Sequence, residues 1–151
     1  MGQSTGFVGR ASTLAIRLLA LAALAVLPGC ASTGSVRGAA PDAGVARTYQ
    51  ASLQRTVVAA REAMTESGLV IEDIAQAENG SWLIMSKSKA GPLSYGEIVR
   101  VIVVPEDARH STVRVFTKRR IFLNITAKGD YSRQILANID FKLSTSTAAI
   151  R

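Results

Sequence analysis

The sequence predicts an α+β domain, a two-layer sandwich in which two helices cover one face of a four-stranded antiparallel sheet. Apolar residues recur at helical spacing in two stretches of the 151-residue chain, one near residue 49 and one near residue 131. Four stretches of strand-like composition lie between them, separated by turn-forming residues. The order is therefore α-β-β-β-β-α, and two layers bury both helical stripes and one face of every strand.

The first predicted helix begins near Arg47 and ends near Gly68. Its apolar stripe recurs at steps of three and four residues and consists of Tyr49, Leu53, Val57, Ala60 and Met64. Several alanines favour the helix and permit close packing, and Gly68 accepts the left-handed conformation of a helix end. We interpret the stripe as core.

Four predicted strands follow, over residues 69–77, 82–89, 97–104 and 112–118. The dipeptide Asn79-Gly80 between the first two is a strong hairpin signal. Alternating side chains in the second and fourth strands predict two distinct faces.

The last predicted helix begins near Asp130, whose carboxylate suits the free amides and the positive end of the helix dipole. Its stripe consists of Tyr131, Ile135, Ile139 and Leu143. Residues 47–143 are thus predicted to form a single domain, and residues 144–151 a frayed tail.

The first thirty residues have the layout of a secretory signal peptide. Arg10 and Arg17 precede ten consecutive apolar residues, Leu18 to Leu27, with no acid among them. Ten residues make about 15 Å of helix, too short for a bilayer core of about 30 Å. Residues 1–29 are therefore predicted to be a removable signal peptide.

The end of this stretch, Leu27-Pro28-Gly29-Cys30, resembles the lipobox of bacterial lipoproteins. The resemblance implies cleavage between Gly29 and Cys30, a diacylglycerol on the Cys30 thiol, and a fatty acid such as palmitate on the new amino group. By resemblance to enterobacterial lipoproteins, Ala31 and Ser32 imply the outer membrane, with the domain facing the periplasm. The alternative is an ordinary signal peptide with a chance cysteine.

Residues 31–46 contain small side chains, glycines and a proline, with hardly any large apolar residue. This composition is typical of a flexible linker. We therefore predict that residues 30–46 form the lipidated cysteine and a flexible tether, which spans at most about 50 Å and holds the domain clear of the lipid.

The composition excludes several kinds of site. The lone Cys30 cannot form an internal disulfide or a Cys-based zinc site, and the lone His110 cannot make a two-His metal site. No P-loop or dinucleotide fingerprint is present. We therefore expect no cofactor, no metal and no catalytic residue.

His110 lies in a polar turn with Asp107 and Ser111. Residues this close together in a short turn do not readily converge as nucleophile, base and orienting acid, so we interpret His110 as a solvated turn residue. The acidic neighbours Glu72-Asp73 and Glu106-Asp107 are not obvious acid–base couples, because adjacent side chains on a strand point to opposite faces.

The sharpest charge feature is the run Lys118, Arg119 and Arg120, which precedes the apolar residues 121–123. Such a run suits anionic lipid head groups or an acidic partner. The alternative is a charged strand end followed by a core segment. The whole chain, at net charge +7, lacks the dense basic run of a nucleic-acid-binding arm, and export also argues against nucleic acid as a partner.

Three stretches, 59–69, 112–115 and 129–139, resemble a family of small, functionally uncharacterised bacterial lipoproteins. The resemblance covers residues 49–143. It implies an envelope lipoprotein and offers no catalytic residue to transfer.

These observations predict a non-enzymatic, membrane-anchored lipoprotein whose small periplasmic domain binds or supports another envelope component. Its candidate contact regions are residues 118–123 and an uncovered sheet face. Carriage of a lipid or small molecule between sheet and helices is the alternative, and a hydrolase is a third.

Overall fold

The computed structural model describes residues 31–90, 96–120 and 129–148. It is an α+β fold with three helices and an open antiparallel sheet of five strands. Along the sheet the strands lie in the order β1-β5-β4-β3-β2. In chain order the elements are α1 (Thr33–Arg37), β1 (Val45–Tyr49), α2 (Leu53–Glu66), β2 (Leu69–Gln76), β3 (Trp82–Ser88), β4 (Glu97–Pro105), β5 (Ser111–Arg119) and α3 (Ser132–Ala148).

One face of the sheet, the helix face, is covered by α2 and α3. The predicted stripes supply this core, since Met64 of α2 and Ile135 and Ile139 of α3 have no exposed surface. The strands contribute a row of fully buried side chains, namely Ile84, Val99, Val101, Val103, Val113 and Val115. The predicted fold class and the placement of two helices on one face are confirmed.

The number of strands was predicted wrongly, because β1 is a fifth strand where a helix was expected to begin. Its backbone pairs with β5 from Val45, opposite Val115, to Tyr49, opposite Ser111. The Tyr49 side chain is buried and its hydroxyl donates to the Leu136 carbonyl of α3 at 3.2 Å. Pairing with β5 satisfies backbone groups that an early helix start would have used, so the helix begins only at Leu53.

The predicted hairpin between β2 and β3 is confirmed. The Asn79 side-chain oxygen accepts from the Ser81 N–H at 3.1 Å and from its hydroxyl at 2.7 Å. Gly80 has a φ of 80°, a conformation that is unfavourable for residues other than glycine. Local hydrogen bonds therefore shape this turn as its sequence indicates.

The last helix runs further than predicted. It continues to Ala148, through part of the predicted frayed tail, and residues 149–151 lie outside the described residues. The hydroxyls of Ser144 and Thr145 donate to the Phe141 carbonyl at 2.8 and 3.0 Å. Hydroxyls that bond back to the preceding turn are compatible with a helix, so a Ser/Thr-rich composition did not end it.

Candidate functional site

The second face of the sheet, opposite the helices, is partly covered by residues 31–44, which we call the N-terminal strap. A flexible tether was predicted here, and the structure differs. Ser32 and Ser35 form a reciprocal capping box at the start of α1, with both bonds at 3.1 Å. Val36 is fully buried and packs with Met85 and Ile98 of the sheet. One apolar side chain and a capped helical turn thus fix the strap to the sheet.

Arg100, in the middle of β4, holds the strap from below. Its side chain is only 2% exposed and extends under the strap backbone. Its Nη1 donates to the carbonyls of Arg37 at 3.2 Å and Ala39 at 2.6 Å, and its Nη2 donates to Ala40 at 2.8 Å. The guanidinium carbon lies 5.3 Å from the centre of the Phe116 ring, a cation–π distance.

Burial, and then the nearby charge of Arg114, lower the pKa of Arg100. Arginine nevertheless stays protonated in proteins, so a permanent charge lies under the strap. Its Nε has no hydrogen-bond partner in the described part of the chain. The corresponding signal in the sequence is an arginine at the centre of an otherwise apolar strand.

The strap needs small residues because it passes very close to the sheet. Gly44 has a φ of 104°, and a Cβ at this position would lie 2.2 Å from the Val115 carbonyl oxygen. Nearby, Arg114 donates to the Asp42 carbonyl at 2.7 Å. The composition that indicated a flexible linker therefore permits close backbone packing instead.

A groove of about 530 Å³ lies beside the strap, on the half of the second face that the strap leaves open. Its floor is apolar and half-buried, formed by Leu83, Ile102 and Val104. Its rim is polar and carries both signs of charge, with Arg37, Asp42, Glu106 and Arg114. Arg37 is already ion-paired with Asp73 of β2. The arrangement offers apolar contact with orienting polar groups, which suits binding.

The opposite end of the sheet from the β4–β5 turn, which we call the anchor end, carries the predicted basic cluster. Lys118 and Arg119 end β5, Arg120 follows, and all three are exposed. The N–H of Ala31 donates to the Arg120 carbonyl at 3.1 Å, and Ala31 itself is 8% exposed. Residues 29, 30 and 121–128 lie outside the described residues. The structure thus brings the peptide that follows Cys30 against the basic cluster.

A buried polar cluster joins three elements at the anchor end. Glu97, 2% exposed at the start of β4, accepts a hydrogen bond from the Ser88 hydroxyl. Burial raises the pKa of Tyr131 at the start of α3, and the charge of Glu97 raises it further. The sequence analysis considered acidic pairs elsewhere in the chain and did not predict a role for Glu97. Glu97 lies beside Ser88 only because β3 pairs with β4.

The turn around His110 does not assemble a catalytic relay. The His110 Nδ1 lies 2.7 Å from an Asp107 carboxylate oxygen. The buried Ser111 hydroxyl instead donates to Thr56 at 2.6 Å and to the Ala51 carbonyl at 3.1 Å, which ties it to α2. The Arg109 N–H, and then the His110 side chain, hold the pKa of Asp107 below its usual value. Asp107 therefore organises the turn.

Comparisons with known proteins add no assignment: no family model, curated protein or solved structure matches this chain. Within residues 31–90, 96–120 and 129–148, no three His, Cys, Asp or Glu residues are grouped so as to hold a metal ion. The helices in those ranges also include none that is long and apolar enough to cross a membrane.

Proposed function

We propose that this protein is a lipid-anchored component of the bacterial cell envelope whose domain is a non-enzymatic binding or structural module. The observation that carries the proposal is the signal-like layout ending at Cys30, followed at Ala31 by a residue built into the domain. Cleavage between Gly29 and Cys30 would retain every element described above. Diacylglycerol and palmitate on Cys30 would supply ample membrane affinity, with the domain in the periplasm at the outer membrane.

Lipidation is tested by growing the bacterium with labelled palmitate and separating its membranes by density. The wild-type protein is expected to carry the label and to sediment with the outer membrane. The Cys30→Ala variant is expected to carry no label and to remain uncleaved or leave the membrane. An unlabelled wild-type protein, processed elsewhere than before Cys30, would contradict the anchor.

We further propose that the groove on the second face binds a segment of an envelope protein. Protein interfaces combine an apolar centre with a polar rim, and the groove has this arrangement. Leu83, Ile102 and Val104 form the centre, while the mixed charges of the rim would orient a partner rather than attract one sign alone. The helix face offers less, because its side chains are already covered by α2 and α3.

The groove is tested by cross-linking in whole cells, followed by purification of the lipidated protein. Val104→Glu, in the groove, is expected to lose the partner, while Phe141→Glu, at a 69% exposed residue of α3, is expected to retain it. Thermal melts of both variants check that they remain folded. Loss of the partner only in the Phe141 variant would move the binding surface to α3. Lipid that co-purifies with the protein, in place of a partner, would favour carriage.

A further inference from the structure

We propose that the domain sits directly on an anionic lipid surface through its anchor end, with Lys118, Arg119 and Arg120 against the head groups. This inference rests on the proposed lipid anchor at Cys30 and deepens it, because it assigns an orientation and a lipid chemistry. The juxtaposition that carries it is the hydrogen bond between the Ala31 N–H and the Arg120 carbonyl.

First, little free chain separates the proposed anchor at Cys30 from the domain. Ala31, the residue after Cys30, is hydrogen-bonded to the end of β5, and the strap is held again at Val36 and by Arg100. A flexible tether of residues 31–46 would allow a separation of up to about 50 Å. With the strap bound to the sheet, that slack is gone, because a single peptide bond joins the proposed anchor residue Cys30 to Ala31, which is held by the domain.

The second step is the charge of the anchor end. Lys118, Arg119 and Arg120 are exposed, and Lys89 lies exposed just beyond the end of β3. Lys118 shares a row of the second face with Lys87, because Ile98 pairs with both. The cations therefore extend over more than one strand.

The carboxylates near this surface offset its positive charge only in part. Glu72 is paired with Lys87, and Glu97 and Asp130 stand against four exposed cations, Lys89, Lys118, Arg119 and Arg120. Glu97 is also buried. The exposed cluster of residues 118–120 therefore presents a surplus of positive charge.

The third step is electrostatic. Anionic lipids attract basic residues near the membrane surface, and the attraction falls off within about 10 Å at ordinary salt. The short connection to Cys30 holds the cluster within this distance. The groove, bordered by the β2–β3 and β4–β5 turns, lies toward the other end of strands about 25–30 Å long. The seated domain thus directs its groove toward the periplasm.

The experiment places a fluorophore at either end of the lipidated protein in vesicles. Ala90→Cys labels the anchor end and Ala108→Cys labels the exposed β4–β5 turn. The Cys30 thiol carries the diacylglycerol, so only the introduced thiol reacts. The vesicles contain phosphatidylglycerol, or phosphatidylcholine alone, together with a lipid whose head group bears a nitroxide quencher.

In phosphatidylglycerol vesicles at low salt, the residue-90 label is expected to be quenched and the residue-108 label to stay bright. Lys118→Glu with Arg120→Glu is expected to weaken the seated state, on the order of fivefold per lost cation, and to reduce this contrast. Arg61→Glu with Arg109→Glu makes the same change of charge outside the basic cluster and is expected to preserve the difference in quenching between the two labels. Vesicles of phosphatidylcholine alone, or high salt, are expected to reduce the difference in quenching between the two labels.

Equal quenching at both ends, or a contrast unchanged by the Lys118 and Arg120 reversals, would overturn the inference. A contrast that appears only in native membranes and survives those reversals would also overturn it, in favour of a protein partner. Vesicle flotation separates this failure from failure of the anchor: a protein that floats without the contrast is anchored but not seated, whereas one that does not float lacks the anchor.

Discussion

The two faces of this sheet are buried by different means. The helix face is covered by side chains at helical spacing, and its core residues are apolar, such as Met64 and Ile139. The second face is partly covered by backbone, which is held across the strands by Val36 and by hydrogen bonds that Arg100 donates. The first kind of cover depends on the helix's own periodicity, whereas the second depends on groups in a distant strand.

The two kinds of cover also fail differently. Truncating a side chain on the helix face leaves a cavity, whose cost is lost contact and lost transfer free energy. Removing Arg100 from the second face leaves part-buried carbonyl oxygens of the strap without donors, whose cost is partial desolvation without a compensating bond. Three variants, from the largest expected effect to the smallest, test this difference.

Ile139→Ala removes a fully buried side chain of α3 on the helix face. The expected loss is about 2–5 kcal/mol in the free energy of unfolding, because the cavity collapses only partly. Denaturant titration of the lipidated protein in detergent measures it. Phe141→Ala, two residues further along α3 but 69% exposed, is the control and should change stability by about 0.5 kcal/mol or less. Equal losses in both variants would place the core elsewhere.

Arg100→Met replaces the guanidinium with a shorter, unbranched apolar side chain and leaves three strap carbonyls without their donors. The expected loss is about 1.5–3 kcal/mol, concentrated in the strap. Amide exchange is the sharper measurement, because the N–H groups of Val36 and Gly38 should exchange faster while those of β4 change little.

Arg114→Met is the matched control, since Arg114 is half-buried and donates to the strap at the Asp42 carbonyl. The loss of amide protection in the strap should be smaller in Arg114→Met than in Arg100→Met. If the strap amides keep their protection in the Arg100 variant, the strap is held by Val36 and not by the guanidinium.

Asp130→Asn tests the start of α3, where loss of the carboxylate charge near the helix N-terminus is expected to cost about 0.3–1 kcal/mol at neutral pH. Burial by itself raises the pKa of Asp130, but hydrogen bonds from the Ser132 hydroxyl and N–H outweigh it and lower that pKa overall. A lowered pKa in the folded state means that ionised Asp130 stabilises the fold above its unfolded pKa of about 3.9.

That contribution is lost as the pH falls through the lower, folded-state pKa, so the difference between wild type and Asp130→Asn should shrink in acid. Unfolding titrations at pH 7 and near pH 3 measure it. If the stability difference between wild type and Asp130→Asn grew in acid, the pKa of Asp130 would be raised on folding and not lowered.

Prediction succeeded where a signal and its structural consequence lie close together in the chain. Asn79 and Gly80 specify their own turn, because the Asn79 side chain and the Gly80 backbone act within three residues. The alternation in β5 predicted that Val113 and Val115 share a face, since strand geometry fixes which side chains lie together, and both are buried in the core under the helices.

Prediction failed where the partner lies far along the chain. Val45–Tyr49 forms a strand only because β5 offers an edge, and Tyr49 fits a helical stripe equally well by spacing. Of the candidate site, the sequence indicated the exposed cluster Lys118, Arg119 and Arg120. It did not indicate that Ala31 lies beside that cluster.

The sequence by itself determined the α+β class, the two helices on one face, the four strands β2 to β5 and the β2–β3 hairpin, because periodicity and turn chemistry act locally. Only the tertiary structure decided what residues 31–44 do. Their small side chains carry no pattern of their own, and their place is set by Arg100, Arg120 and the close approach of Gly44 to Val115. A backbone held by distant donors and acceptors takes its conformation from those partners, which is why a stretch with the composition of a linker lies on the sheet.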